Sequence, residues 1–131
     1  MMKKVFKVLV ADDSEANLKL IRVLLQNNGY EVIEALNGDE AVKYTRLNHP
    51  DLILMDIRMP IMDGITATKM IKEDPALKKI PIIALTASAM RRDREQILKE
   101  NGFEGYLTKP ISVKSFLEEI KNHLNSDSKE D

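Results

Sequence analysis

Short apolar runs alternate along the chain with longer segments in which apolar residues recur at helical spacing. The runs predict five strands, and the periodic segments predict five helices that follow them in turn. Strict alternation of this kind is typical of an α/β fold built on a parallel sheet. We expect the strands near residues 5–11, 31–35, 51–56, 81–86 and 103–108.

Capping and turn residues mark the boundaries of the predicted helices. The first helix is expected to follow Asp13 or Ser14 as its N-cap and to stop at Gly29. The second and third helices are expected to start near Gly38 and Gly64. The fifth helix has the clearest pattern, with apolar residues at helical spacing behind its cap: Val113, Phe116, Leu117, Ile120 and Leu124.

The chain has 131 residues, which is enough for one well-buried core but short for two ordinary domains. We expect one domain over residues 1–124 and a disordered polar tail over residues 125–131. The formal net charge of -1 gives no general electrostatic basis for binding nucleic acid or membrane. No cysteine, signal peptide or membrane span is recognised, so we expect a cytoplasmic protein.

Polar residues stand where four of the predicted strands end. Asp12 and Asp13 follow the first strand, Asp56 ends the third, Thr86 ends the fourth, and Lys109 follows the fifth. If the strands are parallel neighbours, these side chains converge at the edge of the sheet where open α/β folds bind ligands. The sequence therefore predicts a site at this edge.

Three clustered aspartates are costly unless a cation neutralises them. Two unit charges about 4 Å apart repel by roughly 4 kcal/mol at an effective dielectric constant near 20. An all-oxygen ligand set favours Mg²⁺, with Mn²⁺ as the alternative, and Mg²⁺ keeps coordination sites for a phosphate oxygen. A lysine and a threonine can bind the same phosphate. These residue types together predict phosphoryl transfer, with a carboxylate as the acceptor.

The order of these motifs resembles the receiver domain of two-component response regulators, the CheY-like domains. The resemblance covers residues 5–124 and rests on Asp12-Asp13, the segment 56–64, Thr86-Ala87 and Lys109-Pro110. It implies a flavodoxin-like (βα)5 three-layer sandwich, in which a five-stranded parallel sheet has the order 2-1-3-4-5. It also implies a single-domain response regulator, which is a phosphoacceptor signalling domain with weak self-phosphorylation and self-dephosphorylation, and not a classical enzyme.

The resemblance also implies a role for each residue of the predicted site. Asp56 is expected to be the phosphoacceptor, Asp13 a direct metal ligand and Asp12 a mainly water-mediated one. The backbone carbonyl of Arg58 is expected to complete the protein ligands of Mg²⁺. Lys109 is expected to hold a phosphoryl oxygen, and similarity to the family suggests a cis bond between this lysine and the following proline.

Further residues are implicated in switching and in the lifetime of the phosphoryl group. Thr86 is expected to close on the phosphoryl group, and Tyr106 matches the aromatic residue that rotates after it. Arg58 and Ser88 match positions that tune the phosphoryl lifetime. The fourth helix, near residues 90–100, has few apolar anchors. It is either a surface helix with ion pairs or a segment that shifts on phosphorylation and presents a partner surface.

The expected phosphoryl donor is a sensor histidine kinase or a histidine phosphotransfer protein. The expected reader is a protein that binds the face of the fourth helix, fifth strand and fifth helix, and neither direct DNA binding nor membrane association is expected. The cognate kinase, the target and the process controlled are left open by the sequence.

Three other functions compete with the receiver interpretation. Haloacid dehalogenase-like phosphohydrolases also form an aspartyl phosphate, but they carry an Asp-x-Asp-x-Thr pattern that residues 11–15 do not supply. A flavodoxin-like binding protein needs a Ser/Thr/Gly-rich anion loop after the first strand, where Asp12 and Asp13 would repel a flavin phosphate. A phosphorylation-independent scaffold would not need every acceptor, metal, threonine and lysine position to be filled.

Overall fold

The computed structural model describes residues 4–87 and 92–128, with side chains for 4–87 and 93–124. Strands and helices alternate throughout this part of the chain. The strands are β1 (Lys7–Ala11), β2 (Glu31–Ala35), β3 (Leu52–Asp56), β4 (Ile82–Thr86) and β5 (Gly105–Thr108). The helices are α1 (Glu15–Asn27), α2 (Gly38–Asn48), α3 (Gly64–Glu73), α4 (Arg92–Glu100) and α5 (Val113–Ser128).

All five strands form one parallel sheet in the order β2-β1-β3-β4-β5. This order confirms the predicted flavodoxin-like topology. The registers bring the carboxyl ends of the strands to one edge, because Ala11 lies opposite Met55 and Thr86 lies opposite Thr108. The residues that follow β1 and β5 therefore lie at the same edge as the last residue of β3.

Apolar layers on both faces of the sheet make this a three-layer sandwich. On one face the sheet packs against buried residues of α1 and α5: Leu18, Ile21, Leu25, Phe116, Ile120 and Leu124. On the other face it packs against buried residues of α2, α3 and α4: Ala41, Val42, Ala67, Ile71 and Leu98. Burial of a large aliphatic or aromatic side chain contributes about 1.5–3 kcal/mol, so both layers stabilise the sheet that carries the site.

Side-chain caps fix where the helices near the site begin. The Ser14 side chain accepts from the backbone N–H of Asn17 at 3.3 Å, so Ser14, not Asp13, is the N-cap of α1. Asp63 caps α3, and the backbone N–H of the next residue, Gly64, donates to the carbonyl of Ile57 at 2.8 Å. A Cβ atom at Gly64 would collide with the backbone oxygen of Asp56. Glycine therefore lets α3 start directly beside the end of β3.

Two strands begin two residues later than predicted. β1 begins at Lys7, and Val5 is 59% exposed instead of packing on the sheet. β5 begins at Gly105, because the buried Phe103 ends α4 by donating its backbone N–H to the carbonyl of Leu98 at 3.0 Å. In both cases an apolar residue that suggested a strand lies just before it.

Helix α5 extends beyond the predicted domain boundary at residue 124. It continues to Ser128, which differs from the predicted disordered tail over 125–131; residues 129–131 lie outside the described part of the chain. Phe116, Ile120 and Leu124 already anchor the helix, and each further residue of an existing helix adds a hydrogen bond without a new nucleation step. The backbone can therefore continue as a helix beyond Leu124.

Helix α4 has the weak apolar anchoring that the sequence predicts. Among residues 93–100, Leu98 is the one buried side chain, whereas Ile97 is 47% exposed. In the described residues, no helix combines the length and apolar character needed to span a membrane.

Candidate functional site

Acidic side chains from two neighbouring strand ends meet at the carboxyl edge of the sheet. Asp12 and Asp13 directly follow β1, and Asp56 is the last residue of β3. Carboxylate oxygens of these three residues all lie within 4.8 Å of one another. Asp12 and Asp56 are buried, whereas Asp13 is exposed. The acidic cluster therefore has a buried side and an open side.

The buried carboxylate of Asp12 is held by groups from the start of α1. Its Oδ1 accepts a hydrogen bond from the backbone N–H of Ser14 at 2.9 Å, and its Oδ2 accepts one from the side-chain Nδ2 of Asn17 at 3.4 Å. Its side chain has no solvent exposure. A fully buried carboxylate needs such donors and a nearby positive charge, because desolvation of an isolated charge is costly.

The positive charge comes from Lys109, which follows β5. Its Nζ lies 3.0 Å from Oδ2 of Asp12 and 3.2 Å from Oδ2 of Asp56, so one ammonium links both buried carboxylates. The Lys109 backbone N–H donates to the carbonyl of Thr86 at 2.7 Å, and the peptide bond to Pro110 is cis, as the resemblance suggested. These contacts fix the lysine over the acidic cluster.

Burial and neighbouring charges perturb the ionisation of this group of residues. Desolvation by burial raises the pKa of Asp56, and the charge of Asp12 raises it further, whereas Lys109 and the backbone N–H of Arg58 oppose the rise. For Lys109, burial lowers the pKa, but the hydrogen bonds and charges of Asp12 and Asp56 outweigh burial and leave the pKa above its ordinary value. The ammonium is therefore firmly charged at neutral pH.

The fourth strand places Thr86 beside the acidic cluster. Thr86 is buried and lies one residue beyond Leu85, which pairs with Asp56 in the sheet. Thr86, Asp56 and Lys109 line one cavity of about 410 Å³ that extends under α4. Arg94 also lines this cavity. Arg58 lines the cavity as well, so the space next to the Asp56 carboxylate is bordered by a hydroxyl-bearing side chain, an ammonium and two arginines.

Tyr106 lies on β5, on the face of the sheet that packs against α4. Its hydroxyl donates to Oε1 of Glu95 at 2.6 Å, and its ring packs at the margin of the core on that face. The hydrogen bond to Glu95 is the main cause that raises the pKa of the Tyr106 hydroxyl, followed by burial and the charge of Glu95. Tyr106 is thus joined to α4 and not to Thr86 directly.

The structure places the remaining predicted residues as follows. Arg58 is exposed, and its backbone N–H contacts Asp56. Arg58 and Asp13 line a second, open cavity together with Asp63. Ser88 lies outside the described residues. The structure therefore brings together Asp12, Asp13, Asp56, Thr86 and Lys109 at one edge, and it places Tyr106 two residues back along β5, beside α4.

No motif in the sequence points to Asn17, Arg94 or Glu95. Asn17 lies one helical turn after the cap of α1, a position from which a side chain can reach back to the strand end. Arg94 and Glu95 stand in a charged helix without distinctive spacing, so the sequence contains no signal that separates them from their charged neighbours.

Comparison with known proteins agrees with this geometry. The family described as "Response regulator receiver domain" matches residues 8–121. The polar-differentiation response regulator DivK of Brucella ovis is 48% identical over 117 residues, which cover 89% of this chain and 94% of DivK.

This chain is also similar to solved structures of a CheY protein and of a receiver domain. The chemotaxis protein CheY4 of Vibrio cholerae superposes with a TM-score of 0.87 at 31% identity, covering 92% of this chain and all of the other. The receiver domain of sensor histidine kinase PA1611 from Pseudomonas aeruginosa, solved with a magnesium ion in its active-site cleft, gives 0.85 at 33% identity and covers 93% and 99% of the two chains.

Fold, site and similarity together define a class of protein. The chain belongs to the response regulator receiver domain family of two-component systems. It is a signalling domain and not a classical enzyme, and its acidic cluster is compatible with Mg²⁺ binding.

Proposed function

We propose that this protein accepts a phosphoryl group on Asp56 from a histidine kinase or a histidine phosphotransfer protein. The observation that carries the proposal is the position of the Asp56 carboxylate. It lies between the acidic pair and Lys109 and opens into a cavity that Thr86 also lines. Its neighbours Asp12 and Lys109 neutralise each other in part, and Asp13 does not line this cavity, which leaves Asp56 as the carboxylate that faces a phosphoryl donor there.

The reaction is an in-line transfer between two nucleophiles. One oxygen of the Asp56 carboxylate attacks phosphorus, a new O–P bond forms, and the P–N bond of the phosphohistidine breaks. The imidazole nitrogen keeps the electron pair and takes up a proton. The attacking carboxylate must be ionised, and Lys109 and the Arg58 backbone N–H favour that form against the effect of burial. Catalysis of this kind is mainly positioning and charge neutralisation.

The residues present fit a divalent cation. When all are ionised, three carboxylates and the single Lys109 ammonium leave two net negative charges in a partly buried site. The donors are all oxygen, which suits Mg²⁺ or Mn²⁺. Asp13 and Asp56 would hold the ion directly, Asp12 mainly through water, and the Arg58 carbonyl would complete the protein ligands. Bound Mg²⁺ would supply charge neutralisation at the phosphoryl oxygens.

Phosphorylation is proposed to act on a protein-binding surface. Lys109 would bind one phosphoryl oxygen and the Thr86 hydroxyl another, which moves Thr86 toward Asp56. Tyr106 would then change its position beside α4, and the face formed by α4, β5 and α5 would be the surface that a downstream protein reads. Weak anchoring of α4 through Leu98 supports a shift of this helix. Direct DNA binding is not part of this function.

The test is phosphorylation by a small phosphodonor. Incubation with acetyl phosphate and Mg²⁺ should add one labile phosphoryl group by intact mass, and chelation of the metal should prevent it. Asp56→Asn should abolish the mass shift, whereas Asp63→Asn, which removes a nearby exposed carboxylate outside the cluster, should leave it unchanged. Continued labelling of Asp56→Asn would overturn the proposal and favour a phosphohydrolase that uses Asp12.

A further inference from the structure

Arg94 lies beside the predicted phosphoryl site and has no role in the function proposed above. It lines the same cavity as Asp56, Thr86 and Lys109. The side chain is exposed, and it makes no hydrogen bond or ion pair with any residue in the described part of the chain. A cationic side chain is therefore free to move in the cavity where the phosphoryl group would form.

Phosphorylation changes the charge in this cavity. A phosphoryl group brings three strong acceptor oxygens and about two negative charges, where the Asp56 carboxylate has one charge. Lys109 is already shared between two carboxylates, at 3.0 and 3.2 Å. An arginine has a planar, permanently charged fork that binds phosphate oxygens in pairs, so it suits the acceptors that a single shared ammonium leaves open.

On the basis of the proposed phosphorylation of Asp56, we propose that Arg94 binds the phosphoryl group and draws α4 toward the site. Arg94 lies in the first turns of α4, so an ion pair with the phosphoryl group acts on the whole helix. One buried side chain among residues 93–100, Leu98, anchors that helix. A small displacement of α4 therefore disrupts little apolar packing.

Glu95, the residue after Arg94, connects a displacement of α4 to Tyr106. Glu95 accepts a hydrogen bond of 2.6 Å from the Tyr106 hydroxyl, and it follows Arg94 directly in α4. Before phosphorylation this bond joins α4 to β5. When Arg94 moves toward Asp56, Glu95 moves with it, and the bond to Tyr106 is strained or broken. Arg94 thereby links the charge on Asp56 to the position of Tyr106 through the helix.

The experiment is a titration with beryllofluoride and Mg²⁺, followed by fluorine NMR, on wild type, Arg94→Gln and Arg94→Lys. Hydrogen bonds between charged groups are stronger than neutral ones, but solvent weakens them at an open cavity. Arg94→Gln should therefore bind beryllofluoride about five- to tenfold more weakly than wild type. Arg94→Lys should recover part of this loss as a point charge. Raising the ionic strength should reduce the difference between wild type and Arg94→Gln.

Arg46→Gln is the matched control. Arg46 is an exposed arginine on α2, away from the cavity, and its replacement makes the same change in net charge. It should leave the affinity for beryllofluoride unchanged. Amide exchange over residues 93–106 should respond to beryllofluoride in wild type and in the control, and respond less in Arg94→Gln.

The outcomes separate this proposal from the proposed function. If wild type binds beryllofluoride and Arg94→Gln binds equally well with the same exchange response, the role of Arg94 is refuted and phosphorylation of Asp56 stands. If wild type neither binds beryllofluoride nor becomes phosphorylated, the proposed function fails and the role of Arg94 fails with it.

Discussion

Replacement of Lys109 by glutamine tests the charge balance of the site. In the wild type, one ammonium contacts the buried carboxylates of Asp12 and Asp56 at 3.0 and 3.2 Å. Glutamine keeps most of the side-chain length and a hydrogen-bond donor, but it removes the positive charge. Asp12 has no solvent exposure, so its charge cannot be compensated by water. Without metal, Lys109→Gln should therefore destabilise the folded protein.

The size of the effect follows from the distances. At an effective dielectric constant near 20, each of these ion pairs is worth about 5 kcal/mol before desolvation is counted. Removing one partner of a buried pair typically costs about 3–5 kcal/mol, because the other charge is left unpaired. The hydrogen-bond donor that glutamine keeps relieves part of that cost. We expect Lys109→Gln to lose about 2–4 kcal/mol of unfolding free energy at pH 8 and to melt about 10 °C lower.

The destabilisation should depend on pH with a defined sign. Burial and Asp12 raise the pKa of Asp56 in the folded protein, and in the variant Lys109 no longer counters them. The unfolded chain ionises at the ordinary value, so the part of the loss that comes from Asp56 is absent below that value and grows as the pH rises toward the raised folded pKa. The variant should therefore differ less from wild type at pH 5 than at pH 8.

Chemical denaturation in a chelating buffer measures this loss. Lys109→Arg, which keeps the charge, should recover much of the stability, and Lys114→Gln, which removes an exposed charge on α5, should match wild type. Added Mg²⁺ should stabilise Lys109→Gln, because the ion binds the folded acidic cluster and not the unfolded chain. An unfolding free energy for Lys109→Gln equal to that of wild type at pH 8 would refute the reasoning.

Three further predictions concern the metal, the switch and the tyrosine. Asp13→Ala should abolish Mg²⁺ binding in calorimetry and raise the metal-free melting temperature, because it relieves repulsion in the cluster; full phosphorylation in Mg²⁺ would contradict the assignment. Thr86→Ala should keep phosphorylation of Asp56 but show a smaller beryllofluoride-induced change in amide exchange around residues 93–106 than wild type; a wild-type response would exclude a switch role for Thr86. Glu95→Gln should lower the pKa of Tyr106 toward its ordinary value in a spectrophotometric titration, and an unchanged titration would show that the hydrogen bond is absent in solution.

Much of the fold followed from local patterns. The alternation of apolar runs and helical segments predicted a parallel α/β sheet, and the strand at 31–35 lies where it was predicted. The order of the strands came from the resemblance to the family and not from the alternation. The boundaries of the strands could not be predicted as closely, because an apolar residue next to a strand has the same local signature as one inside it. Phe103 is the example: it is buried, but it ends α4 instead of starting β5.

Some contacts of the site could be predicted from the sequence, and others could not. The approach of Asp12, Asp56 and Lys109 could be predicted, because the ends of parallel strands meet at one edge. The hydrogen bond between Tyr106 and Glu95 could not, because it depends on how α4 lies against β5. The position of α4 depends on contacts with residues distant in sequence, because Leu98 is the one buried side chain among residues 93–100. Composition and spacing do not predict such contacts.

The most direct test of the central claim is to map the phosphoryl group to a single residue. Wild-type protein treated with acetyl phosphate and Mg²⁺ can be reduced with borohydride, which converts an aspartyl phosphate to homoserine, and then digested for peptide mass spectrometry. Homoserine at position 56, with unmodified aspartate at positions 12 and 13, is the predicted result. Homoserine at position 12 or 13 with Asp56 unmodified would contradict the assignment of Asp56 as the phosphoacceptor.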